Sequence, residues 1–375
     1  MTDRTAHPGT IRRIAIFRAL FLGDLLCTSP AFRALRRGFP QAEITLIGLP
    51  WARELVERAP YIDRLLVFPG YAGINEVPYQ ADETARFIRT AHATGYDLAI
   101  QMHGDGHVSN GFVAELGARI SLGYRRGADD RLSSSLPYVR EEHEVRRWLR
   151  LVSLLGIPAD DTRIEFPITP DERRRARALL TAQPAGDGVD GPLVGLHPGA
   201  KDPARRWPPE RFAALADLLA ERCGARIVLT GSAAERPITL AVRQAMRHQA
   251  QDLTGATDLG EFAAVIAQLD LLVTNDTGAS HLAAATETPS VVLFGPSRPA
   301  EWAPLDENLH RAIDATELVP GSTPSTGLAQ LPVAPVFDAC TVHFGFRILD
   351  FGLGRSTTCL QSKIGNPKSE IEGDA

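Results

Sequence analysis

The stretch "LLVTNDTGASHLAAAT", residues 271–286, decides how the chain is read. It opens on an apolar, β-branched run that reads as a buried strand. Asp276-Thr277-Gly278 then makes a tight turn, and the small residues that follow start a helix. A strand, a glycine turn and a helix N-terminus in that order present free backbone N–H groups at the positive end of a helix dipole. That is an anion site, to which Thr277, Ser280 and His281 add side-chain donors.

Asp-Thr-Gly also surrounds the catalytic acid of aspartic proteases, where two carboxylates share one proton. No second such triplet occurs in the 375 residues, and the α/β surroundings argue against that use. The simpler alternative is that Asp276 only caps the helix.

Working outward, short apolar runs alternate with helical patterns. "IRRIAIF" (11–17), "AEITLIGL" (42–49), "IDRLLVF" (62–68) and "YDLAIQMH" (96–103) read as strands, with helical spacing between them. Residues 182–192, "AQPAGDGVDGP", read as a linker. The alternation then restarts with "LVGLHPG", "ARIVLTG", "LLVTND" and "SVVLFG" as strands. The class is therefore α/β, with two parallel-sheet halves facing a cleft. The expected divisions are 11–181, a linker over 182–192, 193–310, and a C-terminal segment over 311–375. Beyond about residue 310 the pattern decays into a loop-like stretch, a weak strand signal and a polar tail.

A formal net charge of −5 excludes the global basic field of a nucleic-acid binder. The 4 cysteines, Cys27, Cys223, Cys340 and Cys359, are far apart and form no CxxC, which fits a reducing compartment without a disulfide framework. "RRIAIFRALFLGDLLC" mimics a secretory leader, but Arg18 interrupts its apolar run and Asp24 follows it. No apolar run is long enough to span a bilayer, so a cytoplasmic protein is expected.

Four more motifs follow strands. "HPGAKDPARRW" (197–207) gathers His197, Lys201, Arg205 and Arg206, cations suited to a diphosphate leaving group; a solvated basic loop is the alternative. "LTGSAAE" (229–235) ends a strand at Gly231 and offers Glu235, either to ribose hydroxyls or to a helix dipole. In "FLGDLL" (21–26), Gly23-Asp24 opens a helix, and Asp24 is a candidate general base or a cap. "QMHGDGH" (101–107) offers His103, Asp105 and His107, more suited to a cleft loop than to a metal. Neither a GxGxxG fingerprint nor a P-loop is present.

Taken in order, these motifs resemble glycosyltransferase family 9, the ADP-heptose:lipopolysaccharide heptosyltransferases. The likeness runs over about residues 11–305, through "RRIAIFRALFLGDLLCTSPAFRALRRGFPQAEITLIG", "HPGAKDPARRWPPERFAALADLL", "IVLTGSAAE" and "DLTGATDLGEFAAVIAQLDLLVTNDTGASHLAAA". The resemblance implies a GT-B fold of two Rossmann-like domains and inverting transfer that needs no metal or other cofactor. It implies Asp24 as base, Arg205 as the phosphate-contacting cation where many members carry Lys, and Glu235 on the ribose. It gives Asp276, Thr277, Gly278, Ser280 and His281 to the diphosphate and sugar, beside His197, Lys201 and Gly231. Arg18, Gly23 and His103 fall on the acceptor side.

The expected activity is transfer of a sugar, heptose in the first instance, from a nucleotide diphosphate donor such as ADP-heptose to a lipopolysaccharide-core-type acceptor. The expected partners are that donor and an anionic lipid-linked saccharide, with peripheral contact at the inner membrane and no nucleic acid. Arg12, Arg13, Arg33, Arg36 and Arg37 are candidates to meet the acceptor or headgroups, or are plain solvated surface. The alternatives are a non-catalytic nucleotide-sugar-binding protein, or a GT-B transferase or epimerase with another donor. Residues 310–375 lack the cysteine-rich pattern common in the family, and leave in doubt the helix that in GT-B proteins crosses back to the N-terminal half.

Overall fold

"RIAIF" places one charged residue before four apolar ones and forms β1 (Arg13–Phe17), whose apolar side chains are all buried. The computed structural model describes residues 11–182, 191–324 and 326–350. Residues 183–190 of the expected linker and 351–375 of the C-terminal segment, with Cys359, lie outside them. The first half continues with α1 (Leu22–Gly38), β2 (Glu43–Gly48), α2 (Ala52–Arg58), β3 (Arg64–Val67), α3 (Ala81–Thr94), β4 (Leu98–Gln101) and α4 (Ser109–Glu115). It ends with β5 (Ile120–Arg125), β6 (Ser134–Pro137), α5 (Glu144–Ser153) and α6 (Pro170–Ala182). The six strands form one parallel sheet in the order β3-β2-β1-β4-β5-β6.

The second half repeats the plan. It runs β7 (Leu193–His197), α7 (Pro209–Cys223), β8 (Arg226–Leu229), α8 (Arg236–Ala245), β9 (Ala250–Asp252), α9 (Leu259–Ile266), β10 (Leu271–Asn275) and α10 (Gly278–Ala285). Then come β11 (Ser290–Phe294), α11 (Pro299–Trp302), β12 (His310–Asp314), α12 (Ala315–Leu318), α13 (Gly327–Gln330) and α14 (Val333–Asp350). Its sheet, β12-β11-β10-β7-β8-β9, is also parallel. Each sheet reverses its strand order between its first and fourth strands, and the crevice at that point takes ligands in such folds. The expected pair of Rossmann-like halves is present.

The C-terminal segment corrects one expectation. The weak strand signal after residue 338 falls inside α14. Thr341 and Val342 favour strands locally, but Val333, Val336, Phe337 and Cys340 recur at helical spacing and pack into the core of the second half. Its main partners are α7 and β11, so over the described residues it covers the second half rather than crossing to the first.

Among the described residues, three apolar clusters hold the fold. One lies on the outer side of the first sheet, around Phe17, Phe68 and Phe112. A second fills the outer side of the second sheet, around Trp207, Phe212 and Leu293. The third is continuous between the halves and joins Ile14, Phe32, Leu35 and Trp148 with Leu272, Ala263, Ile266 and Leu282. Helix α6 feeds it too, because Ala176 and Leu180 face α9.

A polar knot ties the edge of this shared core. The guanidinium of Arg58 on α2 pairs with Glu172 on α6 at 2.6 Å and with Glu54 at 2.9 Å. Glu54 also accepts the backbone N–H of Gly260, at the start of α9, at 3.2 Å. A Cβ on Gly260 would lie 2.1 Å from Glu172 Oε1, so any larger residue there would have to displace the Arg58–Glu172 pair. Arg58 and the Thr169 amide hold Glu172 down at about 2, below its ordinary 4.5. A depressed folded-state value stabilises above the unfolded value and loses that contribution as pH falls through the folded one. Glu172→Gln is therefore expected to melt below the parent protein at pH 7, with the gap narrowing below about pH 4.5 and gone near pH 2. Thermal unfolding across that range measures it.

Candidate active site

The C-terminal strand ends of both halves open on one cleft of about 970 Å³. From the first half come Phe21 to Asp24 at the start of α1, and Trp51. From the second come the loop after β7, the turn after β8, residues 257–259 before and within α9, the turn after β10, and Trp302.

The turn after β10 is built by its own side chains. Thr277, not Asp276, caps α10, accepting the Ala279 N–H at 3.3 Å. This leaves the Asp276 carboxylate, only 4% exposed, to pair with Arg205 at 3.3 Å. Ser280 points inward, donating to the Thr277 carbonyl at 2.7 Å, and does not line the cleft. Asn275 ties this turn to the loop after β7: its amide donates to the carbonyls of Pro198 and Gly199, and its oxygen accepts the Trp207 N–H at 3.0 Å. Trp207 is fully buried, so the basic loop is anchored by a core side chain while Lys201 and Arg205 reach the cleft.

Glu235 closes the turn after β8. Its carboxylate accepts the Ser232 N–H at 2.7 Å and hydroxyl at 2.9 Å. A Cβ on Gly199 would sit 2.0 Å from its Oε1, so the two loops meet through that glycine. Nearby, the His197 ring is 3.1 Å from the Thr230 hydroxyl, and burial pushes its imidazole below the ordinary range. Gly231 lines the same wall. At the cleft mouth, the Lys201 ammonium lies 3.8 Å from the centre of the Phe21 ring, a contact between the halves.

On the opposite wall, Asp24 sits in the first turn of α1, and one oxygen accepts the Phe21 N–H at 3.3 Å. The other meets Arg18 at 3.4 Å. Burial raises the Asp24 carboxyl above its ordinary value, Arg18 opposes the rise, and Glu144 adds to it. The two helix N-termini converge here: a Cβ on Gly23 would lie 2.5 Å from the His281 ring, and one on Gly278 3.0 Å from Leu22. His281 is buried, with Nδ1 3.4 Å from Cys27 Sγ, and burial keeps its imidazole below the ordinary range. Two positive helix ends meeting at one cleft favour an anion between them.

Other sequence candidates lie elsewhere. Arg18 is 1% exposed, behind Asp24 rather than in the cleft. His103 stacks on Phe17 at 4.8 Å, accepts the Ala19 N–H at 3.3 Å and does not line the cleft. The Asp105 side chain accepts the His107 N–H, a local turn, and among the described residues no cluster of three or more His, Cys, Asp or Glu is placed to hold a metal. Arg33 is buried against Asp161 and Glu165, Arg36 pairs with Asp63, and Arg13 reaches the Thr94 carbonyl, so these three are engaged internally. No helix among the described residues is long and apolar enough to cross a membrane.

The sequence reading missed two polar residues. Asn275 sits at a strand end and carries no motif of its own. Glu144 lies in "REEHEVRRW" and reads as helix surface, yet it is buried. It accepts from Arg147 Nε and Trp148 Nε1, each at 2.8 Å, and pairs with Arg18 at 3.2 Å. Its spacing to Arg147 and Trp148, three and four residues on, was the available signal.

The family model for glycosyltransferase family 9 (heptosyltransferase) matches residues 84–318. Lipooligosaccharide heptosyltransferase 2 of Haemophilus ducreyi is 30% identical over 315 residues, 79% of this chain and 86% of the relative. The solved E. coli ADP-heptose LPS heptosyltransferase II superposes with a TM-score of 0.71 at 22% identity, over 90% of this chain and 100% of that one. The E. coli heptosyltransferase WaaC, solved with ADP, gives 0.64 at 21% identity, over 88% and 99%. The two solved structures bear on the fold, which is GT-B, and the sequence matches bear on the family. The chain belongs to glycosyltransferase family 9 and is a glycosyltransferase.

Proposed function

We propose that this enzyme transfers a heptosyl group from ADP-heptose to a lipopolysaccharide-core-type acceptor, with inversion and without a metal. One observation carries the reading: Asp24, from the first half, and the Arg205–Asp276 pair at the start of α10, from the second, open on one cleft. Inversion in one displacement needs a base on one side of the anomeric carbon and a stabilised leaving group on the other. The relatives' names supply the donor and acceptor classes; WaaC, solved with ADP, points to the same nucleotide.

Asp24 takes the proton of the acceptor hydroxyl as its oxygen attacks the anomeric carbon. The bond to the diphosphate breaks, and the departing charge falls to Arg205, Lys201 and the N–H groups at the start of α10. Asp276 aims Arg205 rather than attacking. Glu235 accepts from the ribose hydroxyls. A peripheral contact with the inner membrane would bring the lipid-linked acceptor to the cleft.

Saturating ADP is expected to raise the melting temperature, by about 3 kcal/mol of stabilisation at a hundredfold excess over Kd. UDP and UDP-sugars are expected to leave it unchanged; the reverse pattern in thermal-shift assays overturns the donor. Asp24→Asn is expected to keep the ADP shift and lose about 10²- to 10⁴-fold in turnover. Wild-type transfer by that variant removes Asp24 as base. Arg205→Ala is expected to lower kcat about 10²- to 10³-fold in steady-state assays, because a charge on the leaving group goes uncompensated.

A further inference from the structure

Behind the cleft wall, charges alternate along a buried line. Arg147 Nε donates to Glu144 Oε1, Glu144 Oε2 meets Arg18 Nη2, and the same nitrogen meets Asp24 Oδ1 at 3.4 Å. Only Asp24, at the end, opens on the cleft. Arg18 cannot swing away: its Nε donates to the Asp24 carbonyl at 3.1 Å, Nη1 donates to the Met102 carbonyl, and the guanidinium lies 4.6 Å from the Trp148 ring centre. Glu144 is equally fixed, holding the Trp148 N–H and two arginines.

We propose that Glu144 is a positioning residue for the transfer reaction: through Arg18 it fixes the Asp24 carboxylate at the cleft wall and governs how readily that carboxylate takes the acceptor's proton. Arg18 left to Asp24 alone would form a full ion pair and make a poor base of it. Glu144 competes for the same Nη2 and weakens that pairing, while its own negative charge disfavours a second one nearby. From α10 the His281 ring also acts on Asp24, its charged form drawing the carboxyl down, while burial pushes the imidazole itself below its ordinary range; the Cys27 thiol of α1 is pushed above its ordinary range by burial. The Phe21 amide fixes the remaining oxygen, so the carboxylate is held at both atoms and keeps lone pairs for the acceptor hydroxyl.

This inference rests on Asp24 being the base, and its test separates the two. The measurement is the pH profile of kcat/KM for the acceptor, with ADP-heptose as donor. Glu144→Gln keeps the shape and removes the charge. Its acid limb is expected to move about one unit lower, with a lower plateau and an unchanged ADP thermal shift. Glu144→Asp keeps the charge but draws it back from Arg18, and is expected to move the limb less, in the same direction; it carries the test alone if Glu144→Gln does not fold. A limb at the wild-type position in both variants, or one displaced upward, overturns the role of Glu144. That result with an inactive Asp24→Asn leaves the base in place, whereas an active Asp24→Asn removes the base itself.

Discussion

The site depends on how closely α1 and α10 approach, and two glycines set that distance. Gly23 lets α1 rest on the His281 ring, and Gly278 lets α10 rest on Leu22. A methyl group on Gly23 would require the buried His281 ring to move, and one on Gly278 would press on the Leu22 side chain. The proposed base belongs to one of these ends and the proposed anion-binding turn to the other, so the candidate groups are brought together by missing side chains as much as by attractive ones. The contact also places two helix N-termini at one cleft, a polarity that suits an anion.

Behind this contact, the side chains of the cleft are held in place by polar neighbours. Asn275 couples two loops from different strands, Thr277 caps α10 and so frees Asp276 for Arg205, and Glu144 holds Arg18 behind Asp24. Such buried polar chains are worth having only when every member is satisfied, and here the members are hydrogen-bonded in sequence.

Much of the fold was legible because its strands are apolar runs closed by turn residues, as in "RIAIF", "LVGLH" and "LLVTN". Strand β6, "SSLP", was not: it is a polar edge strand ending in proline. Helix α6 was not, since its run of charges hides the alanine and leucine that meet α9. Helix α14 was not legible either: its sequence carries only a weak strand signal, and its helical spacing gains meaning from the core of the second half. In the site, Asp24, Arg205, Glu235 and the turn at 276–278 were legible because glycine-bounded loops after strands mark them, and all line the cleft. Glu144 and Asn275 were not, because their meaning lies in partners distant in sequence, to which a single residue's type gives no clue.

The continuous apolar cluster between the halves has a mechanical consequence. Two domains joined only by a linker swing about it and melt one at a time. Here Phe32 and Trp148 of the first half share a dry interior with Ile266 and Leu282 of the second, and the Arg58 knot pins its edge. The halves can slide over that interior by small repacking, but parting them would expose it to water. A shared interior of this kind favours small sliding of packed helices over a free hinge swing, and it couples the stability of one half to that of the other.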